Sequence, residues 1–558
     1  MTPQLSKNLK ANLGALLSRN PSLAERVCLS VENDHVRGES DGSVSYRYHR
    51  EWFPLDLSTE QIGEALDGLD NEQDILVFGL GTGDLLDATL KRWPEATVVG
   101  WEQDPWLLRE VLERRDYSKA IISGRLILAM GMDVLDFVPA IKLGAGLACH
   151  PFLAQVYTDE LRLLQEGRGE KSALVCAGGL MVGDVAEALR AEGYSTATWN
   201  IHRLSEEELR YAAQRLQPSL VAAINYSHGL AEACEDAALP LLVWEIDPST
   251  DRLKTTPSTS TAHIFTYRKA NQSDYRNAGF KQVEYLPLAA NTERRQPTAI
   301  SAEAEDRYRC QISFVGNSMV ELGTQHRARF VQLFHEANGS SPDAEGDANA
   351  LIQAVLTEQA KDWCDFRVPE LVQQMMPEFA QKMAIGDPAD HPITLLSEMA
   401  AADKRLSLLA PLGQVGVRLW GDQGWQDLAE FGCRYMGPAG HREELNRIYS
   451  NSLINLDIGR IYQSDIVTMR VFDVLACGGF ILTEHCEALS EVFDIGSEVE
   501  SYSSMDEMIQ KIEHYLEHPD EARAIGERGR QRVLRDHSIA SRVRYMLSAA
   551  GLRDAANN

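Results

Sequence analysis

The sequence predicts an α/β protein whose sheets are parallel and doubly wound. Two patterns predict it: short apolar runs that end in glycine-rich or acidic turns, and amphipathic stretches of helical period that separate each run from the next. The pattern recurs along 558 residues, a length suited to about three or four domains. Forty glycines and 21 prolines, in a chain with 24% charged and 44% hydrophobic residues, fit a turn-rich globular protein.

Residues 1–23 (MTPQLSKNLKANLGALLSRNPSL) carry leucines at helical spacing and lack the continuous apolar run of a secretory signal. Residues 43–57 (SVSYRYHREWFPLDL) read as a hairpin region. The first clear α/β unit is DILVF at 74–78, then Gly79-Leu80-Gly81-Thr82-Gly83, then the amphipathic DLLDATLKRW, then ATVVGW at 96–101 ending on Glu102. The order is strand, glycine turn, helix, strand, acid.

A second series starts near Lys171 with SALVCAGG, a helix over 182–192, YSTATWNI, a helix over 205–216, LVAAINYS and PLLVWEIDP. Strands alternating with helices at this spacing predict parallel pairing. The polar, proline-containing stretch 291–306 reads as a linker, and CQISFV at 310–315 opens a third series with Gly316-Asn317 and a helix over about 325–336. After a break rich in Gly, Ser and Asp, residues 351–409 have helical periodicity, and the α/β pattern resumes with VGVRLWGD, a helix in GWQDLAEFG, CRYMGP, LINLDI and FILTE. The expected domains are 1–160, a helical leader plus a Rossmann-like domain; 170–300; and 307–550, with a helical insertion at about 340–410.

Charge and cysteine usage narrow the function. The net charge of −28 and a pI near 4.9 exclude a general nucleic-acid or anionic-membrane binder, which needs a basic surface. Nine singly placed cysteines without a CxxC pair read as reduced small hydrophobes. The best apolar run, 143–157, is too short to span a bilayer and contains His150 and Pro151. A cytoplasmic protein without an integral membrane segment is expected.

The segment 464–483 carries the sharpest chemical signal. Asp465 lies in a polar turn, and Asp473 follows eight positions later on a helix that Gly478-Gly479 ends before FILTE. Such a helix can present a carboxylate to ribose hydroxyls, and backbone N–H groups at helix N-termini can hold a pyrophosphate. The same residues also fit a capped surface helix with a glycine C-cap.

Several strings, in order, resemble the nucleotide-sugar lobe of GT-B glycosyltransferases, and most closely the CgeB-type (spore-maturation-protein-like) family: FVGN at 314–317, YMGP at 435–438, LNRIYSNSLINLDI at 445–458, RVFDVLACGGFILTE at 470–484 and YLEHPDEARAIGERGRQRVLRDH at 515–537. Less sharply, LRYAAQRLQPSLVAAINYSHG, LPLLVWEIDPS and HIFTYRKANQSDYRNAGFKQVEYLPLAAN resemble the acceptor-side lobe of that family. The resemblance implies two Rossmann-like lobes facing a cleft and transfer of a sugar from a nucleotide diphosphate sugar to an acceptor hydroxyl. It assigns Asp465 to the donor sugar and Asp473 to the ribose, each an Asp where Glu is commoner, and it gives Gly316, Asn317, Gly478 and Gly479 to donor binding. No DxD-type turn is clearly placed for a metal, so none is expected, and Arg327, Arg329 and Arg470 are the candidates to neutralise the diphosphate. For the acceptor base, His228, Glu245 and Asp247 stand at predicted strand ends, with His228 and Asp247 the two candidates. Each of these also fits a turn residue.

The N-terminal turn has its own resemblance. Gly79, Gly81, Gly83 and Glu102 resemble the opening of class I S-adenosylmethionine-dependent methyltransferases, in which the glycines admit the cofactor and the acid binds its ribose. The chain departs from that pattern, with Val77 where an acid is usual and no N/D-P-P segment after it. HPFLAQVY at 150–157 is similar to flagellin-modifying glycosyltransferases of the motility-accessory type. Two readings stay open for this module: a methyltransferase site, alone or in a bifunctional enzyme, and a non-catalytic module for a protein acceptor or for homo-oligomer contacts. The expected acceptor is a protein such as flagellin or a surface glycan. A non-catalytic sugar-nucleotide-binding scaffold is the remaining alternative.

Overall fold

A computed structural model describes residues 6–48, 51–69, 74–176, 180–247, 253, 260–338, 344–440 and 443–553. Two compact units are distinguished, residues 1–244 with 259–263, and residues 245–258 with 264–558. In the stretch 291–306, expected as a linker, Arg295 is buried.

In the first unit, β1 (Val36–Gly38), β2 (Val44–Tyr48) and β3 (Glu51–Pro54) form the antiparallel piece expected as a hairpin, with Tyr46 opposite Phe53. The first parallel sheet contains β4 (Ile75–Phe78), β5 (Val98–Glu102), β6 (Leu126–Met130) and β7 (Gly146–Cys149), in the order β6-β5-β4-β7. Ile75, Val77 and Phe78 are fully buried, which is why these runs read as continuous and not alternating. β7 occupies part of the apolar run 143–157.

Helix Thr158–Glu166 follows and carries Glu160, which is 4% exposed and has one carboxylate oxygen without a partner. Burial, then the neighbouring Asp159, pushes the Glu160 carboxyl up to about 8.

The second parallel sheet, of six strands, is formed by β8 (Ser172–Cys176), β9 (Ser195–Trp199), β10 (Leu220–Ile224), β11 (Leu241–Glu245), β12 (Ala262–Thr266) and β13 (Gln282–Tyr285). Their order is β13-β12-β11-β10-β8-β9. The third is formed by β14 (Cys310–Val315), β15 (Arg418–Trp420), β16 (Arg434–Tyr435), β17 (Ser452–Leu456), β18 (Ile481–Glu484) and β19 (Glu500–Tyr502), ordered β16-β15-β14-β17-β18-β19. The chain winds outward from β14 to β16 and then returns to the other side of β14 with β17. That reversal makes the gap between β14 and β17 the switch point, where open α/β sheets bind ligands beyond the strand C-termini. Phe314 pairs with Leu456, so Val315, the last residue of β14, and Asp457, the first after β17, stand side by side.

Two expectations for the third series need correction. The helix after β14 runs Val320–Asn338, longer than expected, and the Gly/Ser/Asp-rich break already contains the start of helix Ala344–Gln359, whose Ala348 and Ile352 share a buried face. Residues 423–431 form 3₁₀ turns and not an α-helix. The insertion itself comprises helices Ala344–Gln359, Val368–Met375, Pro377–Met383 and Pro392–Leu409. Among the described residues no helix is long and apolar enough to cross a membrane.

Glu160 sets a pH dependence. With the native carboxyl near 8 and an ordinary value of 4.5, the unfolded chain releases its proton first, and native stability falls as pH rises through that window. Urea unfolding of Glu160→Gln should show a variant close to wild type at pH 4.5 and more stable by about 4 kcal/mol at pH 8. A constant difference across this range would refute the assignment.

Candidate functional site

The third sheet's switch point is built around a close backbone approach. Gly316 follows β14, its carbonyl accepts the Trp425 indole N–H at 2.8 Å, and its N–H donates to Trp420 O at 2.9 Å. A Cβ on Gly316 would stand 2.9 Å from the Arg470 guanidinium and 3.1 Å from the Phe314 ring, so only glycine leaves the room in which Arg470 lies. Asn317 turns the chain into the next helix: its side chain accepts from Met319 N at 2.6 Å, while Asp422 accepts from Ser318 N at 3.0 Å.

Across the gap, Asp457 ends β17 with a nearly inaccessible carboxylate. It accepts the hydroxyls of Thr468 at 2.9 Å and Thr483 at 2.8 Å, and it pairs with Arg470. Thr468 is also the N-cap of helix Met469–Ala476, so this carboxylate fixes the start of the helix that carries Arg470. The guanidinium of Arg470 sits 5.0 Å from the Phe314 ring centre, within reach of a cation–π attraction.

The insertion adds a second guanidinium. Arg405, on helix Pro392–Leu409 and 7% exposed, donates to Asn317 O at 2.5 Å and to Ile458 O at 3.3 Å, and its Nε has no partner. Burial, then the like charges of Arg470 and Arg460, brings it down to about 10, so it remains a cation at neutral pH. Its neighbour Lys404, fully buried, meets Glu484 at 2.5 Å, and Glu484 also accepts from Gly459 N at 2.7 Å. Burial, opposed by Lys404, raises the Glu484 carboxyl. The strand C-termini thus gather Arg405, Arg460 and Arg470 about Asp457 and Glu484. Clustered guanidinium groups beside a glycine turn can receive a phosphate-type anion bidentately.

Asp465, Glu245 and Asp247 come together with this unit. Asp465 is half-exposed and pairs with Arg268 at 2.7 Å, and Arg268 reaches Tyr462 O at 3.5 Å. Glu245 ends β11, its carbonyl accepting from Tyr267 N at 3.2 Å, and Asp247 stands two residues beyond. Asp247 and Asp465 both act electrostatically on Tyr267, and Asp247 also on Arg460. His228 is exposed on the turn after β10 in the other unit.

Other expected donor residues are placed elsewhere. Arg327 donates to Asn349 at 3.2 Å and Arg329 to Asp390 at 2.8 Å, so both are engaged by the insertion and its connections. Asp473 is buried and accepts from Arg295 at 3.0 Å, a use of its carboxylate different from the expected ribose contact. Gly478 and Gly479 lie at the N-terminal edge of β18, four residues and roughly 13 Å from the switch point. Gly478, with φ 73°, closes helix Met469–Ala476, and a Cβ on Gly479 would meet Tyr449 O at 2.4 Å. These two glycines serve packing.

The N-terminal motif is packed by the protein's own side chains. Residues 79–83 are buried throughout, and a Cβ on Gly81 would meet His150 Nε2 at 2.6 Å and one on Gly79 would meet Leu153 at 2.8 Å. Gly83 meets Tyr117 in the same way, at 2.7 Å. Glu102 is 0% exposed and already accepts from Leu80 N, Gln103 N, Asp104 N and the Tyr157 hydroxyl, at 2.7–3.2 Å. Burial nevertheless pushes its carboxyl up to about 7. The glycines make room for the protein's own side chains, and the acid offers no face to a ribose.

Asp457 and Arg405 escaped the sequence reading. An acid directly after the apolar LINL was the signal for the first, and a Lys-Arg pair inside an otherwise buried apolar helix the signal for the second.

Residues 404–548, which include Arg405, Asp457 and Arg470, match the family described as "Glycosyl transferase-like". Comparison with curated proteins finds no match. Among solved structures the chain is similar to Anabaena Alr3699/HepE in complex with UDP and glucose, at 12% identity over 68% of this chain and 100% of that one, with a TM-score of 0.40. It is similar to sucrose-phosphate synthase from Thermosynechococcus elongatus, at 11% identity over 68% and 98%, with a TM-score of 0.38. A third is a T4 phage β-glucosyltransferase, at 10% identity over 68% and 99%, with a TM-score of 0.36.

The Arg295–Asp473 pair yields a stability test. Asp473→Ala leaves a buried guanidinium without its carboxylate, and chemical denaturation should show a loss of about 3 kcal/mol. A loss under about 0.5 kcal/mol would show that the pair behaves as an exposed one.

Proposed function

We propose that the chain is a GT-B glycosyltransferase close to the CgeB-type family, which moves a sugar from a nucleoside diphosphate sugar to an acceptor hydroxyl. The observation that carries this reading is the meeting of Arg470 and Arg405 at the switch point beside the Gly316 turn. The glycosyltransferase-like family match over 404–548 supports it, as do the ordered sequence strings.

The chemistry asks little more of the site. The acceptor oxygen attacks the anomeric carbon, the bond from that carbon to the diphosphate oxygen breaks, and the electron pair leaves with the nucleoside diphosphate. Arg470 and Arg405 offset the charge that develops on the leaving group. Asp247, two residues beyond a strand C-terminus, takes the acceptor proton. Cations thus do the work of a metal in this proposal.

For the acceptor we propose a protein hydroxyl, recognised with the help of the first unit. The buried Glu102 and the filled glycine turn favour a recognition role there over S-adenosylmethionine chemistry.

Thermal shift with UDP, GDP and dTDP sugars should find at least one that stabilises the protein. Arg470→Lys keeps the charge but loses the planar fork, and calorimetry should show binding of that donor weakened by about tenfold, ~1.4 kcal/mol. Arg470→Ala should weaken it further. Unchanged affinity in both variants, or no stabilisation of the wild type by any of the three, would sink the proposal.

A further inference from the structure

Tyr267 follows β12 at its C-terminal end and is 3% exposed, yet its hydroxyl has no hydrogen-bond partner. A buried hydroxyl without a partner is unfavourable, and such groups concentrate where a ligand supplies what the protein lacks. Four residues on, the side-chain nitrogen of the buried Asn271 is also without a partner. Between them Arg268 makes the 2.7 Å pair with Asp465.

The charged groups around the hydroxyl come from two separate elements. Glu245 and Asp247 lie at the end of β11, and Asp465 lies on the loop between β17 and helix Met469–Ala476. That loop also carries Arg460, one of the three switch-point arginines. The unsatisfied hydroxyl is therefore close to Asp247, proposed above for the acceptor proton, and to Asp465. A phenol hydroxyl both donates and accepts, an Asn amide donates, and a carboxylate accepts. Together with the fork of Arg268, this set matches the vicinal hydroxyls of a hexose, each of which also donates and accepts.

We propose that Tyr267, with Asn271, Arg268 and Asp465, forms the subsite for the hydroxyls of the transferred sugar, and that Tyr267 contacts the sugar directly. This rests on the donor reading given above, and it assigns to the subsite a discrimination between a nucleotide sugar and its bare nucleoside diphosphate. A site that hydrogen-bonds a substrate hydroxyl discriminates strongly against an analogue without it, because its own polar groups are then left unpaired.

Tyr267→Phe removes one oxygen that holds nothing else in the protein, so the melting temperature should stay the same or rise. The probes are UDP-glucose, GDP-mannose and dTDP-glucose, each titrated beside UDP, GDP or dTDP into the full-length chain. Wild type should bind at least one sugar nucleotide more tightly than its diphosphate. Tyr267→Phe should lose at least tenfold of that advantage while its affinity for the diphosphate stays within twofold. Equal sugar affinity in Tyr267→Phe and wild type overturns the assignment, and so does a matching loss of diphosphate binding, which marks a structural role. A wild type that binds the diphosphates with no preference for any sugar form overturns the subsite and leaves the donor reading standing. A wild type that binds none of the six overturns both.

Discussion

The architecture of the third sheet's switch point depends on the Asp457 carboxylate. An ion of this kind is costly to bury, and it is tolerated because two threonine hydroxyls and a guanidinium satisfy it. Those donors belong to different pieces of chain: Thr468 at the helix start, Thr483 in β18, Arg470 in the first turn of the helix. The Tyr502 hydroxyl, from β19, adds a bond of 2.9 Å to the backbone carbonyl of the same residue. One side chain therefore sets the register of the loop 457–468 against the sheet. It also turns Arg470 onto the Phe314 face and against Gly316, where any larger residue would collide with it.

The insertion solves a problem that the sheet alone leaves open. Arg470 shares its charge with Asp457, so a dianionic group needs a second cation beside it. Helix Pro392–Leu409 brings Arg405 to 5.9 Å from the Phe314 ring centre, anchored by the carbonyls of Asn317 and Ile458 and not by a carboxylate. Carbonyl anchoring fixes its position without cancelling its charge. The depressed Arg405 value has the same origin, since burial and two like charges oppose protonation, and an arriving anion relieves both. Lys404, one residue earlier, is by contrast neutralised by Glu484. Two adjacent basic residues thus have different duties, one holding the insertion to the sheet and one left as a local cation within a chain of net charge −28.

How much of this was legible in the sequence varies with the kind of information required. Apolar runs and their glycine or acidic ends identified most of the parallel strands, because a strand buried on both faces must be apolar throughout. Their spatial order was not legible: periodicity gives the number of strands, whereas the position of the switch point requires knowing that β17 returns beside β14. Gly478-Gly479 shows the consequence. A helix–glycine–strand string looks the same at either edge of a sheet, and here it falls at the N-terminal edge, where Gly479 packs against Tyr449. Arg327 and Arg329 were sensible choices on the helix after the glycine turn, but their partners Asn349 and Asp390 come from the segment that the sequence marks only as helical. Arg405 was hidden for the opposite reason, because a basic pair in a buried helix has no local pattern that tells a structural ion pair from a ligand-facing cation.

The first and third sheets share a topology and differ in what fills it. Both place their first strand beside the strand that returns, β4 beside β7 and β14 beside β17, and both follow the first strand with glycine. At β4 the space is taken by His150, Leu153 and Tyr117, and the acid at the end of β5 spends its acceptors on neighbouring backbone and Tyr157. At β14 the acid spends its acceptors on residues that carry or orient a guanidinium. The same scaffold therefore gives one closed core and one cationic recess, and the difference lies in a few side chains at the strand ends. A glycine-rich turn after a strand is a requirement for close approach, and whether it admits a ligand or the protein itself is decided by what the returning strand brings to meet it.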